Sequence, residues 1–165
     1  MVPWLGADQD ADAIPNLPAD FQLEYYWRGG SVPPPHHYEY RVRLDASGNG
    51  EVLFNPDYPP EQPLEWCESF AVPPQELQRL YQEMLERKVL SQKWELIPDM
   101  EAPIGGELES MEIVVNAQRY TVPSAIVDAS RVDATYRLIR SLVPETTWQS
   151  LMERREAYIR ERLGE

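Results

Sequence analysis

The stretch YEYRVRLDASGNGEVLF, residues 38–54, decides the fold of this chain. Its first eight residues alternate between apolar and charged side chains, which is the period of a strand with one buried face. Residues 46–50 include two glycines and an asparagine, which tolerate the positive φ angles of a tight turn. Residues 51–54 then return to an extended, apolar pattern. The stretch therefore predicts an antiparallel β-hairpin.

A further strand is predicted on the N-terminal side of this hairpin. Residues 21–28, FQLEYYWR, alternate in the same way and predict a half-buried strand. The three consecutive aromatic residues at 25–27 cannot all share one face, and Tyr26 is the one expected to face away from the core. Glycines and prolines then end the pattern, so residues 29–37 are expected to form a loop.

The remainder of the chain predicts a second hairpin and three helices. A proline-rich loop at 55–65 leads to a short strand at 66–72. Apolar residues at helical spacing follow from Pro73-Pro74 to about residue 90. The later elements are expected to be a short strand at 93–97, a loop at 98–106, a hairpin at 108–122 with its turn at 116–118, a helix ending before Pro144 and a final helix from about residue 146.

The order of these elements predicts the fold class. Strands and helices that follow one another as hairpin, helix, hairpin, helix and helix are typical of an α+β protein. We expect an antiparallel β-sheet of two hairpin units, with one helix between them and two C-terminal helices packed on one face. Asp128 or Ser130 is expected to cap the first C-terminal helix, and Thr146 is expected to cap the second.

Length and composition favour one domain. The chain has 165 residues, of which 42% are hydrophobic and 26% are charged, and these values are near the average for globular domains. Residues 1–20 contain four aspartates and three prolines without periodicity. We therefore expect an acidic, proline-containing tail at 1–20, mobile or loosely docked, and a single α+β domain at 21–165.

The chain is strongly acidic, and its front half carries most of the excess. The formal net charge is −13 at pH 7. Residues 1–70 hold 12 Asp and Glu against 3 Arg, whereas residues 71–165 hold 16 Asp and Glu against 12 Lys and Arg. An acidic surface repels phosphate backbones and anionic lipid. We therefore expect no nucleic-acid binding and no membrane binding, and we expect a protein with a basic surface as the partner.

The sequence matches no catalytic, cofactor or metal motif. The lone Cys67 excludes an intramolecular disulfide, and Glu65 and Glu68 beside it disfavour a thiolate, so it is expected to be a packed, small apolar residue. Asp45 begins a calcium-like spacing, but the same residues suit a hairpin turn, and Pro56 stands where the final glutamate is required. We predict no catalytic, cofactor-binding or metal-binding residues, and we favour a cytoplasmic protein that is not an enzyme.

Six aromatic and histidine side chains of the front half are candidate interaction residues, because aromatic residues dominate the hot spots of protein–protein interfaces. The candidates are Tyr26, Trp27, His36, His37, Tyr58 and Trp66. Packing in the core is the alternative fate of such rings. The first hypothesis is a non-catalytic protein-interaction module that uses its acidic, aromatic and proline-rich N-terminal half.

Small-molecule binding or catalysis is the second hypothesis. Glycine pairs beside stiff proline segments at 29–37 and 98–106 are a way to place a polar group over a pocket. His36 or His37 would be its acid–base group. The two adjacent side chains point in opposite directions in an extended segment, so they are not expected to share a metal ion. A third hypothesis is a nucleic-acid mimic, which requires carboxylates at phosphate-like spacing on one face.

Overall fold

The computed structural model describes residues 16–59, 64–98 and 106–165. The predicted α+β class is confirmed, because one helix lies between two groups of strands and two helices lie at the C-terminal end. The elements are β1 Gln22–Arg28, β2 Glu39–Asp45, β3 Asn49–Asn55, β4 Trp66–Ala71, α1 Pro74–Glu86, β5 Leu108–Val115, β6 Gln118–Val122, α2 Ser130–Leu142 and α3 Glu145–Leu163. Within the described ranges, none of the helices has the length and apolar character needed to cross a membrane.

The strands form one antiparallel sheet in the order β4-β3-β2-β1-β5-β6. The hairpin predicted from residues 38–54 is β2 and β3, in which Val42 pairs with Val52. Strand β1 joins the two hairpins, because Tyr25 pairs with Val42 of β2 on one side and with Met111 of β5 on the other. The sheet therefore depends on a long-range pairing of β1 with β5 in addition to the two local hairpins.

One face of the sheet is buried against the helices. Alternate residues of β1, β2 and β5 are buried, and the residues between them are half-buried or exposed. The helices contribute apolar residues to the same core cluster as these strands. The helix residues in that cluster include Leu77, Leu80, Tyr81 and Met84 of α1, Val132, Tyr136 and Ile139 of α2, and Leu151 of α3. The core thus lies between the helices and one side of the sheet.

The turn between β2 and β3 is held by an aspartate and a glycine. The Asp45 carboxylate accepts hydrogen bonds from the backbone N–H groups of Ser47 and Asn49 at 2.9 and 3.0 Å. Gly48 has φ +84°, and a Cβ at this position would lie 2.4 Å from the carbonyl oxygen of Val72. Only glycine combines this backbone conformation with so close an approach of another chain segment.

The turn between β5 and β6 is held by a residue from the predicted tail. Asn116 and Ala117 have φ angles of +51° and +61°, which is the pattern of a two-residue type I′ turn. The Asp20 carboxylate accepts hydrogen bonds from both of their backbone N–H groups, at 2.9 and 2.7 Å. Asp20 is therefore docked on the domain, and the prediction for residues 1–15 lies outside the described residues.

The predicted helix caps are wrong. Ala129 precedes α2 and makes no side-chain cap, and the hydroxyl of Ser130 donates a hydrogen bond to the Asp128 carboxylate at 3.1 Å instead. Helix α3 follows Pro144, so Thr146 lies inside its first turn. The reason is that the Pro144 carbonyl accepts the backbone N–H groups of Thr147 and Trp148, so the helix starts before Thr146 and without a side-chain cap.

Two further predictions are wrong. The strand expected at 93–97 is an isolated bridge between Leu96 and Ile126, because this segment pairs with the connection after β6 and not with the sheet. Cys67 is exposed and not packed. Side chains alternate along a strand, and in β4 the half-buried Trp66 and Phe70 take the side facing the core while Cys67 takes the other.

Candidate functional site

The sheet face opposite the helices, called the open face here, carries a concavity of about 600 Å³. Residues from all six strands line it, and no residue of a described helix does. Among the residues that the structure describes, the charged members of its lining are Glu24, Arg43, Asp45, Glu51, Glu112 and Arg119. Four carboxylates thus face two guanidinium groups. The concavity therefore has an excess of negative charge.

Arg43 lies at the centre of this charged row. It pairs in the strand ladder with Glu24 on one side and with Glu51 on the other. Its Nε donates to Glu24 Oε2 at 2.7 Å, and its Nη1 donates to Glu51 Oε1 at 3.4 Å. The hydrogen bond with Glu24 is the main cause that raises the pKa of the Arg43 guanidinium. Arg43 is thus shared by two carboxylates, and Glu24 has a second, more distant cation in Arg41, whose Nη1 lies 3.9 Å from Glu24 Oε1.

The neighbouring ion pairs of the open face are exposed to solvent. Arg41 donates to Glu65 at 2.8 Å, and Arg119 donates to Glu112 at 3.0 Å. The side chains of the second pair are 66% and 52% exposed. Exposed ion pairs contribute only about 0–1 kcal/mol to stability. A charged partner can therefore displace them at small cost.

Two other groups of the open face have shifted pKa values. The Asn49 side chain and backbone N–H groups lower the pKa of the Asp45 carboxyl, which keeps it anionic. Burial and the nearby Glu51 raise the pKa of the Cys67 thiol, whose Sγ lies 3.6 Å from Glu51 Oε2. Cys67 is therefore held as a neutral thiol, a poor nucleophile.

The candidate residues Tyr26 and Trp27 lie on opposite faces of the sheet. Tyr26 is half-buried and points away from the core, as the alternation predicted. Burial and then Glu39 raise the pKa of its hydroxyl. Trp27 is 8% exposed and stacks on Tyr40 with ring centroids 5.2 Å apart. Of these two rings, only Tyr26 can contribute to a surface on the open face.

His37 and Tyr58 are brought together, whereas His36 is not part of their contact. The rings of His37 and Tyr58 are parallel, with centroids 3.9 Å apart. His37 is 1% exposed, and its ring nitrogens lie 3.3 Å from the Gly30 carbonyl oxygen and 3.1 Å from the Glu39 carboxylate. His36 is exposed. Both nitrogens of His37 are thus occupied by local partners that hold the loop after β1.

Trp66 is covered by helix α3. The guanidinium of Arg154 lies 4.4 Å from the centre of the Trp66 ring, within the range of a cation–π interaction. Trp66 also stacks on the ring of Phe54, with the two ring centroids 5.7 Å apart. Trp27 and Trp66 therefore belong to the helix side of the sheet, and the six candidates do not form one continuous surface.

A second cavity, of about 200 Å³, lies between β5 and α2 and is called the β5–α2 cavity here. It adjoins the end of the 98–106 loop that the small-molecule hypothesis named, although residues 99–105 lie outside the described part of the chain. Its polar lining residues are Glu107, Glu109, Asp133 and Tyr136, and neither histidine is among the described lining.

A partly buried polar cluster borders this cavity. The Tyr25 hydroxyl donates a hydrogen bond to Glu109, and Arg140 Nη1 lies 2.8 Å from the Tyr25 oxygen and 2.9 Å from Glu109 Oε2. Burial raises the pKa of Tyr25 far above its usual value, so the phenol remains protonated and can donate. Tyr25 and Arg140 thus both donate to the same carboxylate oxygen of Glu109, Oε2.

Sequence reasoning missed both groups of residues. The signal for the open face was present, because Glu24, Arg43 and Glu51 are the polar members of alternating strands. The signal for the cluster was an acidic residue, Glu109, two positions before the core residue Met111 and therefore on the same side of β5. Which carboxylate would meet which guanidinium depended on strand pairing, and sequence alternation does not define that.

Neither a protein-family model nor a curated protein matches this chain. The proposals below therefore rest on the geometry and charge of the described residues.

Proposed function

We propose that this protein is a non-catalytic module that binds a basic segment of a protein partner on the open face of its sheet. The observation that carries the proposal is the concavity of about 600 Å³, with four carboxylates and two guanidinium groups in its lining. Lysine and arginine side chains complement such a surface. Complementary charge steers a partner toward its site and orients it there.

The shape of the concavity supports a peptide segment as the occupant. Neighbouring strands lie about 4.8 Å apart, so a lining contributed by six strands extends over about 24 Å. An extended peptide of about seven residues covers this distance. A lining that crosses all six strands suits an extended chain segment better than an enclosed small molecule.

The carboxylates are accessible to the basic groups of a partner. Glu24 and Glu51 share Arg43, although Glu24 also lies 3.9 Å from Arg41. The exposed pair of Glu112 with Arg119 can exchange partners. A lysine placed between Glu24 and Glu51 would donate charge-assisted hydrogen bonds to the carboxylate oxygens that Arg43 does not bind. The binding energy would thus come from the excess carboxylate.

The proposal keeps the acidic front half as the binding region. Strands β1 to β3 contribute Glu24, Arg43, Asp45 and Glu51, and the ring of Tyr26 lies on the same face. The neutral thiol of Cys67 supports a binding role over a nucleophilic one.

A labelled polylysine peptide of about eight residues, long enough to cross the open face, tests the proposal by fluorescence anisotropy. We expect saturable binding at low ionic strength and weaker binding at physiological ionic strength, because salt screens exposed charges. In the double variant Glu24→Gln/Glu112→Gln, Arg43 and Arg119 lose anionic partners, and the face becomes less negative. We expect at least tenfold weaker binding, equal to about 1.4 kcal/mol.

The matched control is Glu153→Gln/Glu161→Gln, which removes the same charge from exposed positions of α3. It should bind the peptide nearly as well as the wild type. Equal losses in both double variants would show that only net charge matters, and an absence of saturable binding by the wild type would reject the open face as a binding site.

A further inference from the structure

We propose that the β5–α2 cavity binds a small primary ammonium ion that carries an apolar group. This site is separate from the open face, because it lies on the core side of the sheet and shares no lining residue with the larger concavity. The inference therefore does not depend on the proposed function.

The walls of the cavity define the apolar part of the ligand. The apolar lining residues are Ile97, Leu108, Pro123, Ala125, Ile126, Ala129 and Val132. The volume of about 200 Å³ is smaller than that of sites for drug-sized ligands, which begin at about 300 Å³. A single phenyl ring or a short alkyl chain matches this size.

The charges of the cavity define the polar part of the ligand. Glu109 is neutralised by Arg140 at 2.9 Å, whereas Glu107 and Asp133 form no ion pair within the described residues. Among its described lining residues, none is basic. The field in the cavity is therefore negative, and it favours a cation over a neutral molecule or an anion.

An orphaned hydroxyl supports a ligand with hydrogen-bond donors. Tyr136 is 4% exposed, and its buried hydroxyl has no hydrogen-bond partner among the described residues. Buried polar atoms in proteins nearly always have a partner. Burial, and then the charges of Glu109 and Asp133, raise the pKa of Tyr136, so its oxygen is a neutral hydroxyl with lone pairs to share.

An ammonium group fits these partners. It has three N–H donors and no acceptor. The Tyr136 hydroxyl has almost no exposed surface, so a small displacement of this side chain accompanies binding. One ammonium donor then binds its oxygen, and another binds the carboxylate of Asp133, which lies one turn of α2 before Tyr136. Residues three apart are neighbours on a helix surface. The apolar group of the ligand would then contact Ile126 and Val132.

The test uses 2-phenylethylamine with two probes of nearly equal shape, 2-phenylethanol and 3-phenylpropionate. Binding is measured by protein-observed NMR with the full chain. We expect saturable, millimolar binding of the amine, with shifts at Tyr136 and Val132. The alcohol should bind about threefold more weakly or worse, because it loses a hydrogen bond between a charged donor and the carboxylate of Asp133. The carboxylate probe should not bind, because the acidic groups of the cavity repel it.

Two variants identify the contact atoms. Tyr136→Phe keeps the ring and removes the hydroxyl, and Asp133→Asn keeps the shape of an exposed side chain and removes its charge. Each should weaken amine binding about three- to tenfold. Asp133→Asn remains informative if Tyr136→Phe does not fold. The control Glu153→Gln on α3 should leave the affinity unchanged, as should the open-face variant Glu24→Gln/Glu112→Gln.

Three results would overturn the inference. They are equal affinities for the amine and the alcohol, no saturable amine binding by the wild type, and affinities of Asp133→Asn and Tyr136→Phe equal to that of the wild type.

Discussion

The Tyr25 hydroxyl donates a hydrogen bond to the Glu109 carboxylate, and the two residues are 84 positions apart in the sequence. Arg140 of α2 completes the contact, since its Nη1 lies 2.8 Å from the Tyr25 oxygen and 2.9 Å from Glu109 Oε2. One cluster thus connects β1, β5 and α2. The pairing of β1 with β5 joins the two hairpins, so this cluster stabilises the junction of the sheet.

Removing Arg140 should destabilise the protein. In Arg140→Met the Glu109 carboxylate and the Tyr25 hydroxyl lose a shared partner in a half-buried environment. We expect a loss of about 1–3 kcal/mol in the free energy of unfolding, measured by urea denaturation. Arg137→Met, at an exposed position of the same helix, should change it by less than about 0.5 kcal/mol. Equal effects of the two substitutions would contradict a special role of the cluster.

The Asp20 carboxylate should make stability depend on pH. Hydrogen bonds from the backbone N–H groups of Ala117 and Asn116 lower its pKa below the ordinary value of 3.8. A lowered pKa in the folded state stabilises the protein above the pKa of the unfolded state, and this contribution is lost as the pH falls through the folded-state value.

The variant Asp20→Ala should therefore unfold at lower urea concentration than the wild type at neutral pH, and the difference should shrink as the pH is lowered below about 3.9. Urea midpoints of both proteins across this pH range provide the measurement. A difference that stays constant with pH would mean that the carboxylate charge is not what holds the turn.

Gly48 should not tolerate a side chain. In Gly48→Ala the residue keeps a positive φ and its Cβ meets the Val72 carbonyl oxygen at 2.4 Å. We expect the free energy of unfolding, measured by urea denaturation, to fall by about 2 kcal/mol or more, because of left-handed backbone strain and the clash. Gly164→Ala is the matched control, because Gly164 has φ +77° and no atom within 4 Å of its Cβ position. Gly164→Ala should lower the free energy of unfolding by about 1 kcal/mol or less. Equal losses in the two variants would show that the clash with Val72 contributes nothing.

Cys67 should react slowly although it is exposed. Partial desolvation and then the charge of Glu51 raise the pKa of its thiol, so the thiolate fraction at neutral pH is small. Glu51→Gln should lower that pKa and speed alkylation by iodoacetamide, with the pH–rate profile moved to lower pH. Glu112→Gln, on the same face but four strands away in the sheet order, should leave the profile in place. An unchanged profile in Glu51→Gln would refute this electrostatic account.

Much of the fold was predictable because local patterns encode local structure. Alternation predicted the first and last residues of β1, β2 and β3 to within a residue or two, and the glycines at 46–50 predicted the turn between β2 and β3. Proline identified the start of α1 correctly. The expected strand at 93–97 failed because a short apolar run does not reveal whether a sheet edge is available to it.

The candidate sites were less predictable. Residue type suggested aromatic side chains as a surface, but Trp27 and Trp66 lie on the side covered by helices. Alternation alone predicts that the charged side chains of the open face lie on the less buried side of each strand. Their arrangement as one acidic concavity depends on the order of all six strands.

The sequence by itself determined the net acidity, the alternation of β1 to β3, the glycine turn and the helical C-terminal end, because each depends on neighbouring residues or on composition. Only the tertiary structure decided that Arg43 lies between Glu24 and Glu51, and that Tyr25, Glu109 and Arg140 meet. Those contacts join residues far apart in the chain. They follow from strand order and register, which are set by the packing of the whole core and not by any one segment.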